Sequence, residues 1–505
     1  MIKIPEVKLC SIHMISPKYD GCRHTSTVSG RYTPFYDEYS VTVNGEQCPV
    51  RVCRVSAKSF NRWWPCHQRD ISQSELAGFI SFSGDEAVTL RVKRKSAYKK
   101  AVLRPVSKNI VPEICGDEVV FTITENGNYV LELDGEHNCL HIFYNKIKEY
   151  PDAKDVTYYF GPGLHYPGTI RLKSNESVYV DEEAIVFGGI TAIDAENIRI
   201  FGGGTIDNSN EERVVEHCYE NFTTGTFRIY GCKNVSVEDV IFMNSSTWIL
   251  SMFYCDGVKV DGVKLVGHWR YNTDGIDIVH SRNIMVKNSF IRAFDDSVSI
   301  KGVYNNDKTI ENIVIDNCVL WCGWGHTCEL GIETWAPEYK NIHFINCDVI
   351  RCSGPALAIC NGMDCEIHDV SYENINVEMQ ADTMVQVVQT SEEQEYDPYG
   401  EGMMRRFRFI YFSNNQHTIS PETMQLSPDR EFCEKFGYTH DVLVKNVNVY
   451  TDDESIVPMI EIYSLAEDRP IENITLENIR LNGEKVENFD KFETVLKNHN
   501  NVVIK

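Results

Sequence analysis

The sequence predicts an all-β chain, a parallel β-helix preceded by an N-terminal β-sandwich, and three observations predict it. A phrase built on Asn or Asp and alternating apolar residues recurs: "ENIRI" at Glu196, "KNVSVEDVIF" at Lys233, "DGVKVDGVKL" at Asp256, "RNIMVKNSFI" at Arg282, "ENIVIDNCVL" at Glu311, "KNIHFINCDVI" at Lys340, "HDVSYENINV" at His368, "HDVLVKNVNV" at His440 and "ENITLENIRL" at Glu472. From Lys233 to His368 the phrase returns every 23 to 29 residues, the span of one supersecondary unit in a repeat protein. Each unit holds two short runs of strand periodicity, such as "IMV" and "SFI", with no helical crossover between them.

The elements follow in order. Residues 1–152 lack the repeat and read as short alternating strands with turn signals, "YSVTVNG", "AGFISFSGDEAVTLRV" and "EVVFTITENGNYVLELDG", which assigns them to a β-sandwich. The last of these reads as a hairpin turning at Asn126-Gly127. "GPGLHYPGTIRL", Gly161 to Leu172, opens the helix domain, 153–505. In each coil the Asn or Asp between short strands suits a sharp bend through left-handed backbone space. Cys318 and Cys347 hold equivalent places in consecutive units, which suits an interior cysteine stack. The run 383–438, with "SEEQEYDPYGEGMMRRF", breaks the period and reads as a loop insertion over one face.

Composition narrows the partners. The chain has 505 residues, 42% of them apolar, enough for a large core and too many for one small domain. Its net charge of −24 argues against nucleic acid and against an anionic membrane as partners, and no run of about 18 apolar residues suggests a membrane span. "MIKIPEVKLCSIHMISPKYDG" holds no continuous apolar stretch with a small-residue cleavage site, so a cytoplasmic protein is expected, its 18 cysteines serving as small apolar residues.

Two acidic motifs carry the chemistry. "AFDDSVSIKG" sets Asp295 beside Asp296 in an apolar, strand-prone run, and "YNTDGID" sets Asp274 21 residues earlier, close to one turn of the helix. The carboxylates then share one surface patch, where like charges push pKa values apart and leave one group protonated while others ionise. That division suits glycoside hydrolysis, in which one carboxylic acid protonates the leaving oxygen and another carboxylate activates water. Asp277, after Gly275, reads as a brace for the turn. A calcium cluster is the competing use of grouped carboxylates, but the short glycine-rich repeats of calcium-binding β-helices are absent.

"NTDGID", then "FDDSVSIKG", then Gly325-His326 resembles the polygalacturonase-like clan of inverting glycoside hydrolases, families 28 and 49. The resemblance runs from about residue 155 to 375 and implies a right-handed, pectin-lyase-like β-helix. It implies Asp295 as general acid, Asp274 and Asp296 as the pair that holds and deprotonates the water, and His326 as the histidine beside the acid. Thr327 stands where the family's third motif letter is Gly. Pectin-cutting members carry an Arg-Ile-Lys grip about one coil after the histidine; the matching stretch here, "GPALAICNGMDC", has neither Arg nor Lys. This favours neutral α-linked oligosaccharides, of glucan, dextran or galactoside type, over oligogalacturonates, for which a basic residue such as Arg405 or Arg406 would have to substitute.

Sugar rings stack on aromatic faces and need fixed polar partners, which makes Trp269, Arg270, Tyr271, Lys301, Trp324, Glu333 and Trp335 candidates for lining the cleft beside His326. Cys322, His326 and Cys328 match no standard zinc spacing, so neither metal nor cofactor is expected. "FNRWWPCHQRD", Phe60 to Asp70, could close one end of a groove and make the enzyme exo-acting, or pack between the domains. A polysaccharide lyase would need a base for the C5 proton, for which Lys301 is the nearby candidate, and a non-catalytic carbohydrate-binding β-helix would not need "NTD" and "DD" intact.

Overall fold

The computed structural model describes residues 2–6, 34–57, 71–211, 225–303, 308–383, 387–389, 403–405, 407–415 and 436–505. Its β-helix coils carry three strands each. The recurring phrases of the sequence form one face, a 12-stranded parallel sheet that includes Glu196–Phe201, Lys233–Glu238, Asp256–Asp261, Arg282–Lys287, Ile310–Asp316 and Glu338–Ile345. The strands that complete each coil, such as Phe290–Ala293 and Val298–Gly302, alternate along a second, 21-stranded assembly.

The register explains the repeat. Val235, Val258, Ile284, Ile313, Ile342 and Val370 pair in line across successive coils and point into one continuous apolar core. Cys318 and Cys347 stack within it. The bends use left-handed backbone, with Asn283, Asn312 and Asn341 at φ between 53° and 58°. Asn is among the few non-glycine residues that visit this region readily, and its amide hydrogen-bonds the next coil. Asn312 donates to Asn283 at 2.9 Å, and Asn341 to Asn312 at 2.7 Å. A second ladder turns the next corner, where Asn374 (φ 54°) donates to Asn346 at 3.1 Å and accepts from Asn446 at 3.0 Å. Asn374→Ala is therefore expected to lower stability by about 2–3 kcal/mol in urea unfolding, from left-handed strain plus lost hydrogen bonds, and Asn374→Gly by about 1 kcal/mol because glycine keeps the conformation.

The N-terminal part is a sandwich of two sheets around its own core. One sheet orders Ile2–Lys3, Ser74–Gly84, Leu140–Asn145, Gly127–Leu133 and Ala101–Arg104, with Arg51–Ser56 also on Ser74–Gly84. The other orders Glu46–Cys48, Tyr39–Val43, Val88–Arg94, Glu118–Ile123 and Glu113–Cys115. The hairpin expected at Asn126-Gly127 does not form, because Glu118–Ile123 and Gly127–Leu133 lie in different sheets. The chain crosses between layers there, so that Phe121 and Ile123 face Tyr129 and Leu131 across one core. Asn126 holds the crossing by donating to the carbonyls of Gly84 and Asn145.

Sandwich and helix share a buried seam. Phe79, Val130 and Phe143 pack with Phe290, Trp321 and Ile350. Beside them Glu132 takes both nitrogen arms of Arg351, at 2.6 and 2.9 Å, and Arg104 at 2.8 Å, while Arg104 also bonds Glu378. Burial opposes ionisation of Glu132, but the two guanidinium groups outweigh it and hold the carboxyl at about 2.

The insertion expected over 383–438 is interrupted. Phe407–Asn414 is a full rung strand, paired with Leu357–Asn361 before it and Pro458–Ser464 after it, because its alternating apolar residues Ile410 and Phe412 face the core. Val387–Gln389 and Met403–Arg405 form a separate two-stranded ribbon. Arg406 and the segment Phe60 to Asp70 lie outside the described residues. Among the described residues no helix is long and apolar enough to cross a membrane.

Candidate active site

The corner that leads into the strands Ile276–Val279, Val298–Gly302 and Cys328–Thr334 gathers the acidic motifs. Corner backbones stack coil upon coil: Gly275 N–H donates to Asp296 O at 2.7 Å, Ser297 N–H to His326 O at 2.8 Å, and Thr327 N–H to Pro355 O at 3.0 Å. Asp274, the Asp295-Asp296 pair and His326 therefore occupy equivalent corners of successive coils, as the 21-residue spacing predicts.

Lys301 is the hub of this corner. Its ammonium lies 2.9 Å from Asp274 Oδ2, 3.2 Å from Asp277 Oδ1 and 3.3 Å from Asp296 Oδ2, and 4.5 Å from the centre of the Trp248 ring. Asp277 is thus not a turn brace. It sits on the strand Ile276–Val279 with no exposed surface, and its side chain turns outward to the ammonium because its neighbours Ile276 and Ile278 take the core. One cation set among three carboxylates stays charged: burial works against it, and Asp274, Asp277 and Asp296 raise its pKa well above the usual lysine value.

The aspartates separate in proton affinity. Burial raises Asp295 well above the ordinary carboxyl range, and the charges of Asp274 and Asp296 add to that. Asp296 is partly buried, yet Lys301, the His326 charge and the His326 N–H outweigh the desolvation and lower it. Burial lifts Asp274 to about 7, against the pull of Lys301 and with the push of Asp296. Asp296 N–H donates to Asp295 Oδ1 at 3.1 Å, and His326 N–H to Asp296 Oδ1 at 2.8 Å. Gly325 is required by close approach: a Cβ there would stand 2.4 Å from Asp296 Oδ1 and 2.6 Å from Asp295 Oδ1.

The other sequence candidates divide. The Trp324 ring, partly exposed, stacks on Phe294 beside the pair at 6.3 Å between centres. Glu333 is close enough that its charge raises both Asp274 and Lys301. Arg270 is buried just before Asp274 and donates to Ser245 O at 3.3 Å, and Trp269 is buried beside it. Tyr271 and Trp335 are supports rather than cleft walls. Tyr271 has no exposed surface and packs on Phe294, and Trp335 is buried with its N–H bonded to Gly302 O. Cys322 donates to Asp295 O at 3.3 Å and Cys328 faces the core, so neither pairs with His326 as a metal ligand. The trio that does converge is His326, Glu329 and Cys360, whose donor atoms lie within 4.8 Å of one another. Its nitrogen, oxygen and sulfur would suit zinc, but Glu329 is already bonded to His326 and no fourth His, Cys, Asp or Glu joins them among the described residues.

Sequence reasoning missed Asp277 as a partner of Lys301, Trp248 beneath it, and Arg408. The first is legible from parity, since Asp277 and Lys301 both alternate with core residues in adjacent strands. Arg408 lies two residues after the Arg406 that the sequence suggested; it bonds Glu461 at 2.6 Å and stands 5.2 Å from the Tyr411 ring, which in turn stacks near His326.

Comparison with known proteins fits this geometry. The family model described as glycosyl hydrolases family 28 matches residues 157–401. A probable polygalacturonase of Arabidopsis thaliana is 27% identical over 203 residues, covering 38% of this chain and 43% of the relative. An exopolygalacturonase of Cochliobolus carbonum is 26% identical over 209 residues, covering 39% and 45%. The chain therefore spans less than half the length of these relatives. The solved structure of Dex49A from Penicillium minioluteum superposes over 94% of this chain and 96% of its own, with a TM-score of 0.54 at 13% identity, a likeness of fold.

Proposed function

We propose that this chain, similar in sequence to the glycosyl hydrolases of family 28 and in fold to Dex49A, is an inverting O-glycosyl hydrolase acting on α-linked oligosaccharides. One observation carries the reading: Lys301 ties Asp274 and Asp296 together, while burial and the charges of both raise the neighbouring Asp295 well above the ordinary carboxyl range and favour its acid form. Asp295 donates that proton to the leaving glycosidic oxygen. Asp296, kept ionised by Lys301 and His326, takes a proton from the water that Asp274 helps to hold, and the water attacks the anomeric carbon from the opposite face. Lys301, charged and locked among three carboxylates, is not free to act as a lyase base.

A neutral sugar suits the sheet face beyond His326. The outward column of the sheet runs Ser299, Glu329, Ala358, Tyr411, Glu461, and two of these five positions are acidic and none is basic. Glu329 is already paired with His326 and Glu461 with Arg408, so the column itself presents no basic group to a uronate carboxylate. The second reading, an exo-acting hydrolase of oligogalacturonates, draws on Arg408, which flanks that column, and on the polygalacturonase relatives.

Proton NMR of hydrolysis over α-linked isomalto-, malto-, galacto- and galacturono-oligosaccharides separates the two. The expected result is cleavage of a neutral sugar with the β-anomer released first. Release of the α-anomer would overturn inversion, and cleavage confined to oligogalacturonate would establish the second reading.

A further inference from the structure

Behind His326 lies a carboxylate that the hydrolytic reading leaves without a task. Glu329 is 1% exposed, on the strand Cys328–Thr334, three residues after His326. A buried carboxylate costs several kcal/mol unless it is paired and hydrogen-bonded. Glu329 is both: one oxygen takes the Nδ1 proton of His326 in a short hydrogen bond, and the other accepts from Ser299 Oγ at 3.2 Å. Ser299 is itself fixed, its single hydroxyl proton shared between Glu329 and Gly331 O, the latter at 2.7 Å. The sheet register forces the meeting, because Glu329 stands between Ser299 and Ala358, neither of which supplies a charge. Among the described residues no other cation lies in ion-pair contact with Glu329.

We propose that Glu329 is a positioning residue of the site: it anchors the His326 ring by Nδ1 and keeps it cationic, so that a positive charge stands beside Asp296 while Asp295 gives up its proton. The proposal rests on the hydrolase reading above. Glu329 acts through His326, whose own N–H is bonded to Asp296, and its carboxyl also bears directly on the Asp296 carboxyl. The other charged or titratable groups that bear on the pair are Asp295, Asp296 and Lys301 from the preceding coil, Cys360, Tyr411 and Arg408 from the following ones, and Tyr339 and Tyr372 from the core. Arg408 opposes protonation of His326, and Asp296 supports it. With Glu329 neutralised, burial and Arg408 both push the imidazole towards its neutral form.

The test is Glu329→Gln, which keeps size and the Ser299 contact and removes the charge. Expected are a fall in kcat of about 10- to 100-fold, the range of supporting-group changes, with KM held within about twofold. The alkaline limb of the kcat–pH profile should move to lower pH by about one unit or more, as should the His326 titration followed by ring-nitrogen NMR. Ser299→Ala should shift both in the same direction by less. In a His326→Asn background, Glu329→Gln should cost little more, because the two act in series. A wild-type alkaline limb and His326 titration in a folded Glu329→Gln protein would overturn the proposal, as would a full Glu329→Gln loss in the His326→Asn background. Asp295→Asn, assayed in parallel, keeps the two readings apart: turnover surviving in that variant would sink the hydrolase assignment, whereas the NMR titration still judges the Glu329–His326 pair.

Discussion

Asp295→Asn is expected to lower kcat by about 10³-fold while the protein stays folded, with an equal or higher melting temperature near pH 7. The first half follows from deleting the proton donor while keeping its shape, since an amide oxygen can still accept from Asp296 N–H. The second half follows from linkage. Burial and the neighbouring aspartates raise the folded-state pKa of Asp295. A carboxyl raised on folding contributes fully below its unfolded value of about 4, and that contribution falls away as pH rises towards the folded value, because the unfolded chain releases a proton that the folded chain must retain. Asparagine has no such proton. The stability gain should therefore shrink to nothing as pH is lowered through about 4, which calorimetry across pH would read directly. The alkaline limb due to Asp295 should also vanish from the residual activity. Near wild-type turnover, or a melting temperature that drops at neutral pH, would remove Asp295 from the role of acid.

The fold was largely legible because the β-helix writes its geometry into a period. One left-handed residue per corner and one apolar pair per strand suffice to recover strand order, as the Asn283, Asn312, Asn341 series shows. The sandwich was legible only as strands. Whether the chain doubles back at Asn126 or crosses to the other sheet is decided by which core the flanking residues join, and the dipeptide carries no record of that. The candidate site was legible where a whole motif recurs on successive corners. Its supports were harder to see, because Asp277 and Glu329 reach the site by facing the same side of neighbouring strands and Trp248 by lying in the corner before Leu250–Phe253, which the sequence shows only once the register is known. Tyr271 illustrates the opposite error. Proximity to Asp274 in sequence suggested contact with a sugar, but at a corner consecutive residues point apart, and its ring is spent on packing against Phe294.

The same geometry makes Lys301 the most consequential single position for stability. Lys301→Met keeps much of the stem and deletes the one ammonium that three buried carboxylates share. Removing one partner from a buried ion cluster leaves charge uncompensated, and a loss of about 3–5 kcal/mol in unfolding free energy is expected near pH 7, with activity lost as well. The sign of the pH effect separates this cause from lost packing. Without the cation, Asp296 no longer has the charge that chiefly lowers its pKa, and Asp274 loses its main opposing influence. Both then rise in the folded state, so the penalty of the variant should be greatest at neutral pH and should shrink as acid neutralises the carboxylates. A cavity or a lost contact with Trp248 would cost the same at either pH. Adding Asp277→Asn to Lys301→Met should recover part of the loss, since Asp277 lies in the cluster but outside the proposed proton transfers. If the double variant is no more stable than Lys301→Met alone, the cluster is held by packing rather than by charge, and the account of how Asp296 stays ionised would have to be rebuilt around His326.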